Sequence, residues 1–232
     1  MISVLIPAYN ESARIGATIS ALRTLPYELQ IVVIDDGSRD KTTQAAKKAG
    51  ADVVFRQMHK GKGAALNRAL RLSTGAMLLL VDADLGTTAS EIEKLLRPVL
   101  AGEADMTIAL FPPNPNGGGF GFVVRSAKEG IRQLTGREMQ APLSGQRVLR
   151  RSMVEEFGGF ADGWGVEVAL TIRALWRNYR VVEIPTQMTH RVTGRNLRGT
   201  LHRWRQYRSV RRTLAKLEQE TPTNLQAPPK VR

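Results

Sequence analysis

The stretch "LLLVDADLGTT", Leu78 to Thr88, ends the most continuous apolar run of the chain, Ala76 to Val81, in two carboxylates, Asp82 and Asp84, with one residue between them. An unbroken apolar run of this length reads as a strand buried on both faces of a sheet. Residues i and i+2 of an extended chain project to one side, so both carboxylates are directed into one crevice at the strand's carboxyl end. Two anions so close repel and raise each other's pKa unless a cation lies between them. Their hard oxygen ligands suit Mg²⁺ or Mn²⁺. Taken alone, the pair reads more simply as a helix N-cap beside a solvated loop carboxylate, so its neighbours have to decide.

Those neighbours alternate. Ile2 to Ile6, Ile31 to Ile34, Val53 to Phe55 and Met77 to Val81 are β-rich runs. Helical spacing falls between and after them, around Ile15 to Leu25, Thr42 to Ala49, Ala64 to Leu72 and Ile92 to Leu100. This order predicts an α/β fold, a mostly parallel central sheet with helices on both faces. In such sheets ligands bind beyond the carboxyl ends of the strands. "PAYNE" (Pro7 to Glu11), "DDGS" (Asp35 to Ser38) and Asp82-Ala83-Asp84 all fall there. In "VVIDDGSRDKT", Asp36-Gly37-Ser38 suits a tight turn and Asp40 a helix N-cap. Asp35 and Asp36 are then left as carboxylates able to accept the ring N–H of a uracil or guanine. In "HKGKGAALNRAL", Lys60 and Lys62 alternate with Gly61 and Gly63 at a helix start and form a cradle for a diphosphate. The P-loop spacing is absent, and the turn after the first strand lacks Gly-x-Gly-x-x-Gly, which disfavours a Rossmann dinucleotide site.

A length of 232 residues with 42% hydrophobic and 24% charged residues predicts one soluble globular domain and excludes a fibrous or wholly disordered chain. The net charge of +13 calls for an anionic partner. It is unevenly spread, with nine Arg or Lys and no acid from Arg191 to Lys216. The absence of cysteine removes disulfides, thiolate catalysis and Cys-ligated zinc. The start "MISVLIPAYNE" has no basic n-region and reads as no signal peptide, and no window reaches the ~20 apolar residues that span a bilayer. The expected location is therefore the cytoplasm, with peripheral attachment at the inner face of the cell membrane left open.

Downstream, "FPPNPNGGGFG" (Phe111 to Gly121) reads as a flexible loop beside a site. Val123 to Leu134 and Val166 to Trp176 have helical spacing, and "YRVVEIP" is a strand ending at Pro185. Leu197, Leu201, Trp204, Tyr207, Val210, Leu214 and Leu217 recur at steps of three and four as the apolar stripe of a basic helix. The expected organisation is a catalytic domain over 1–191, a basic amphipathic helix over 192–218 and a disordered tail over 219–232. Leu201 and Trp204 are expected to pack on the domain, with the arginines facing anionic lipid or an acceptor phosphate.

"VLIPAYNE", "VVIDDGSRDKT", "KGKGAALNRAL" and "LLLVDADL" stand in the order and spacing of the family 2 glycosyltransferases of the GT-A fold, which the chain resembles from Ile2 to about Arg191. The resemblance implies a nucleotide-diphospho-sugar donor, a UDP-sugar being favoured, a divalent metal and inversion at the anomeric carbon. It implies Pro7, Ala8, Glu11, Asp36 and Lys60 in the nucleoside pocket, Asp82 near the ribose or metal, and Asp84 on the metal.

The second half is similar to two branches. In the dolichyl or polyprenyl-phosphate sugar transferases, a "D-x-x-SGFR" element, a strand ending in "EVP" and a later Arg-x-x-Gly recur. Here "APLSGQR", "VVEIP" and "RVTG" match at Arg147 and Arg191, while Ala141 replaces the acid and Gln146 the Phe. In the glucosyl-3-phosphoglycerate synthases a late His before an Arg adds a metal ligand, and His190-Arg191 looks similar. Gly86 offers no side chain, so His190 is the candidate third ligand beside Asp82 and Asp84.

Glu167 in "GWGVEVAL" is the candidate base by motif position, with Asp162 second; a base is needed only for a hydroxyl acceptor. Metal and lysines would stabilise the departing diphosphate. Arg125, Arg147 and Arg191 suit an anionic acceptor, because guanidinium binds phosphate bidentately. Two other readings compete. A nucleic-acid-binding module built on the Arg-rich helix explains the charge but leaves four strand-end motifs without purpose, and no nucleic-acid signature accompanies them, so no nucleic-acid partner is expected. A nucleotidyltransferase would start with a Gly-rich loop after the first strand, and "PAYNES" is not one.

Overall fold

The structure is a computed structural model that describes residues 1–113, 121–189 and 197–220, the side chains of 197–203 excepted. In chain order the elements are β1 (Ile2–Ala8), α1 (Ile15–Arg23), β2 (Leu29–Asp35), α2 (Thr42–Lys48), β3 (Val53–Arg56), α3 (Lys62–Leu72) and β4 (Met77–Leu80). A 3-10 helix (Gly86–Glu91), α4 (Ile92–Leu100), β5 (Met106–Leu110), α5 (Gly121–Thr135), β6 (Arg147–Arg150) and α6 (Arg151–Glu156) follow. A second 3-10 helix (Gly163–Gly165), α7 (Val166–Trp176), β7 (Val181–Pro185) and α8 (Leu197–Glu220) complete the described chain.

The strands form one sheet in the order β3-β2-β1-β4-β6-β5-β7. Every pairing is parallel except those of β6, which runs antiparallel to β4 and β5. The period-2 alternation of the strands splits the interior in two. Leu5, Val32, Ile34, Leu78 and Leu80 face a core shared with α3, α5, α6, α7 and α8. Val4, Ile6, Ile31, Val33 and Leu79 face a core shared with α1, α2 and α4. Each fully buried Leu or Ile contributes about 1.5–3 kcal/mol relative to exposure. Because both faces are covered, β1, β2 and β4 read as predominantly apolar runs.

Two strands were not expected. β5 is only five residues long and β6 four. β6 opens on Arg147, whose polarity in the sequence hides its full burial.

The basic helix begins within the expected span and continues to Glu220. Val210, Leu214 and Leu217 are buried in the same core as α5 and α7. Gly130 on α5 makes this possible, since a Cβ there would lie 2.5 Å from both δ-methyls of Leu214. Trp204, expected to pack inward, is instead 56% exposed. Its ring meets Tyr207, which in turn meets Phe122. Leu201 lies among the side chains outside the description, and the expected tail from 221 onward lies outside the described residues.

Gly63, in the first turn of α3, is the tightest backbone approach near the sheet's carboxyl edge. An added Cβ would sit 2.1 Å from the carbonyl oxygen of Ala161. Overpacking of this kind costs about 1–3 kcal/mol. Gly63→Ala is expected to lower the melting temperature by roughly 2–4 °C for each kcal/mol lost; an unchanged melting curve contradicts the contact.

Candidate active site

β4 ends at Leu80, before the two acids, yet the alternation of burial continues past it. Val81, Ala83 and Leu85 are buried, while Asp82 and Asp84 between them are partly open. Thr18 fixes this turn: its hydroxyl donates to the Ala83 carbonyl at 2.9 Å and accepts from the Gly86 N–H at 2.9 Å. Arg14 donates to the Asp84 carbonyl at 3.4 Å. The two carboxylates are thus delivered to one edge of the sheet, as the opening stretch implied, by a turn rather than by the strand itself.

Lys62, the first residue of α3, reaches into this edge. Its Nζ is 2.8 Å from Asp82 Oδ1 and 2.7 Å from Glu167 Oε1, with 14% of the side chain exposed. Burial works against the ammonium charge, but Asp82 and Glu167 together outweigh it and hold Lys62 above its ordinary value of 10.5. A raised lysine pKa contributes stability at every pH below that ordinary value and loses it only in strong alkali. Lys62 therefore stays charged across the neutral range. Gly145 leaves room for it, since a Cβ there would lie 2.6 Å from Lys62 Nζ and 2.7 Å from Asp82 Oδ2. Gln146 completes the shell of Asp82 by donating from Nε2 to Oδ2 at 2.6 Å and accepting the Asp82 N–H on Oε1 at 2.9 Å.

Of the two lysines in "HKGKG", the structure brings Lys62 to the carboxylates, whereas Lys60, the expected nucleoside residue, is exposed. The backbone N–H of Lys60 donates to Asp36 Oδ1 at 2.9 Å. Asp36 is nearly fully buried and also accepts from the Gly61 N–H at 2.8 Å and Gln57 Nε2 at 2.7 Å, with His59 Nδ1 at 2.9 Å from Oδ2. As placed, Asp36 organises the 57–61 loop and does not present an open oxygen to a base. Asp35 is likewise inward, accepting from the Ser38 N–H at 2.8 Å and from the Thr43 hydroxyl. Asp40, expected as the cap of α2, stands one residue before it, the cap being Lys41, and accepts from the Thr42 N–H at 3.0 Å and the Ser12 N–H at 3.1 Å.

Pro7 and Ala8 end β1 beside this loop, and the Glu11 N–H donates to Thr42 Oγ1 at 2.9 Å. Tyr9, 43% exposed, lays its ring 4.6 Å from that of His59. It offers an aromatic face at the same sheet edge, which no charged residue in its motif signals.

On the other side, Glu167 stands in the first turn of α7. The loop before it is clamped by α8: Ser209 Oγ accepts the Trp164 N–H at 2.9 Å, and Thr213 sits against Gly165, where a Cβ would fall 2.0 Å from its Oγ1. Asp162, the second base candidate, is exposed at the start of that loop.

Arg147, an expected acceptor ligand, has no exposed surface. It donates to the Ser144 carbonyl at 2.9 Å, Thr171 Oγ1 at 2.8 Å and the Pro142 carbonyl at 3.3 Å. Burial pushes its guanidinium down to about 10, against the charges of Glu167 and Glu183. It fastens the 142–144 segment under the site instead of meeting an acceptor. Arg125 is exposed on α5. His190 and Arg191 lie outside the described residues.

Among the described residues no three His, Cys, Asp or Glu side chains converge as a metal cage. Asp82 and Asp84 nevertheless supply two hard carboxylates on one turn, the donor type that Mg²⁺ and Mn²⁺ prefer. Mg²⁺ in particular is commonly held by one or two carboxylates, with water and substrate phosphates filling the rest. The residues present fit such an ion.

A family model described as "Glycosyl transferase family 2" matches residues 3–158. The glucosyl-3-phosphoglycerate synthase of Mycobacterium tuberculosis is 32% identical over 195 residues, covering 74% of this chain and 60% of that protein. The match thus spans less than two thirds of that relative. The solved structure of glucosyl-3-phosphoglycerate synthase from the same organism with Mn²⁺, UDP-glucose and phosphoglyceric acid superposes with a TM-score of 0.77 at 27% identity, covering 93% of this chain and 79% of that one. Its form with Mg²⁺ and UDP gives 0.78 at 26% identity, covering 99% and 81%. The strand order, the acid-bearing turn after β4 and the family match lead to one conclusion: the chain belongs to glycosyl transferase family 2.

Proposed function

We propose that this protein transfers a sugar from a UDP-sugar, UDP-glucose foremost, to a phosphate-bearing acceptor, with Mg²⁺ or Mn²⁺ held at Asp82 and Asp84. The observation that carries the proposal is the triad Asp82–Lys62–Glu167, which puts a buried cation between the metal-side carboxylate and the candidate base. The similarity to a synthase solved with Mn²⁺, UDP-glucose and phosphoglyceric acid supports the choice of donor and acceptor class.

In this reading the uridine lies against Pro7, Ala8 and Glu11, with Tyr9 and the 57–61 loop closing the pocket and Asp36 holding that loop. The bound ion supplies positive charge to the departing diphosphate, the largest single catalytic term in chemistry of this kind. Lys62 adds a fixed charge in a water-poor site, where it acts more strongly than in bulk solvent. Glu167, oriented by Lys62 and by the clamp of α8 on its loop, takes the proton of an acceptor hydroxyl. A direct attack of this kind inverts the anomeric carbon; retention in the product, read from its anomeric proton coupling, would remove Glu167 as the base of a single displacement. By motif position alone, Arg125 and Arg191 are proposed for the acceptor phosphate and His190 for the third metal ligand.

A thermal-shift screen of UDP- and GDP-sugars with and without Mn²⁺ tests this reading. A ligand at 100 times its Kd stabilises by about 2.7 kcal/mol. Stabilisation by a UDP-sugar that depends on Mn²⁺ is expected. No shift with any donor overturns the proposal.

No helix among the described residues is long and apolar enough to cross a membrane. For location, the reading is a cytoplasmic enzyme that docks at an anionic membrane surface through α8. Arg205, Arg208, Arg211, Arg212 and Lys216 are all exposed there, beside Trp204. Each basic residue near such a surface contributes about 1 kcal/mol. Sedimentation with phosphatidylserine vesicles should retain the protein at low salt and release it at high salt; no retention at low salt removes the docking.

A further inference from the structure

We infer that Gln146 is a positioning residue for Asp82: its amide grips both the carboxylate and the backbone N–H of that one residue and so sets the direction in which the carboxylate meets the metal and diphosphate. The inference rests on the metal-dependent donor reading above.

An Asp side chain needs such a grip, because its terminal torsion is broad and roughly two-fold. Lys62 alone would not supply it. The Lys62 ammonium lies between Asp82 and Glu167 at almost equal distances and can draw the Asp82 carboxylate toward Glu167. Gln146 opposes that pull from the other oxygen, at 2.6 Å. The direction of the amide is fixed by chemistry: the Asp82 N–H needs an acceptor, so Oε1 must face it at 2.9 Å and Nε2 must face the carboxylate.

Gln146 is itself rigid. It is 1% exposed, stands immediately before β6, and its carbonyl accepts the Ala109 N–H at 3.0 Å from the end of β5. Gln146 Nε2 and Lys62 Nζ approach different oxygens of the carboxylate, Oδ2 and Oδ1, so the two contacts oppose each other across the group. Gly145 contributes by absence, for any side chain there would collide with Lys62 Nζ and Asp82 Oδ2. A glycine followed by an amide therefore builds one wall of this site, and an apolar residue at 146 could reproduce its volume but not its two hydrogen bonds.

Groups that orient metal ligands typically contribute 10–100-fold in metal affinity or activity. The test compares wild type and Gln146→Met by calorimetric titration with UDP, once with Mn²⁺ and once with EDTA. Met keeps the approximate volume and removes both hydrogen bonds. The Mn²⁺-dependent gain in UDP affinity should fall about 10–100-fold while binding of UDP in EDTA stays within about twofold. Should the Met variant not fold, Gln146→Ala, which leaves space for water to meet the Asp82 N–H, carries the same expectation. Equal losses with and without metal, or no loss at all, overturn the inference and make Gln146 a filler of space. A wild-type protein that shows no Mn²⁺-dependent gain overturns the donor reading and this inference together.

Discussion

Replacing Lys62 by Met is expected to lower the rate of sugar transfer by roughly 10²–10³-fold, the loss typical when one fixed charge or donor aimed at developing charge is removed. Lys62 also joins the two halves of the proposed site, contacting Asp82 at 2.8 Å and Glu167 at 2.7 Å. Its removal leaves two carboxylates facing each other without a cation. Breaking a fully buried pair costs about 3–5 kcal/mol; here the Asp82 side chain is 34% exposed, so solvent screening reduces the loss to about 1–3 kcal/mol. The companion variant Lys62→Met/Glu167→Gln removes the uncompensated charge as well. It should recover part of the melting temperature and none of the activity. A Lys62→Met protein with wild-type turnover would place the chemistry elsewhere.

The second large effect is expected from Asp84→Ala. Metal-ion stabilisation of a leaving group amounts to several kcal/mol, so losing a carboxylate ligand should weaken Mn²⁺-dependent UDP-sugar binding by at least about a hundredfold, equivalent to 2.8 kcal/mol. The fold should survive. Asp84 is partly exposed, and its turn is held by the Thr18 hydrogen bonds to Ala83 and Gly86 and by the Arg14 contact to its own carbonyl. Unaltered calorimetric affinity for UDP-glucose in Mn²⁺ would remove Asp84 from the metal site.

β1, β2 and β4 were legible because both sheet faces are covered and their side chains are mostly apolar, and β3, a partly exposed edge strand, through the β-rich run Val53 to Phe55. β6 was not, because a fully buried arginine reads as surface until its three hydrogen-bond partners are seen. The position of Asp82 and Asp84 just beyond the end of β4 was legible from the apolar run that precedes them.

The choice between Lys60 and Lys62 could not be made in that way, since both adjoin Gly61 at the start of the same helix. It is decided by where α3 begins and by the contact of Gly63 with Ala161, a residue distant in sequence. Asp36 shows the same limit: a carboxylate at the ligand edge can serve the ligand or its own loop, and only the positions of Gln57, Lys60 and Gly61 reveal which.

Trp204 failed for a geometric reason. Successive steps of three residues fall ~60° short of a full helical turn each. Two such steps from Val210 through Tyr207 carry Trp204 off the buried line marked by Val210, Leu214 and Leu217.

The central claim is that the acid-bearing turn after β4 serves metal-dependent sugar transfer from a UDP-sugar to a phosphate-bearing acceptor. It is tested most directly by incubating the full chain with UDP-glucose, Mn²⁺ and 3-phosphoglycerate and weighing the product by mass spectrometry. Formation of a glucosylated acceptor with matching UDP release, abolished by EDTA, is the predicted result. Neither product nor UDP release in the presence of Mn²⁺, with this acceptor or with a polyprenyl phosphate, would contradict the account.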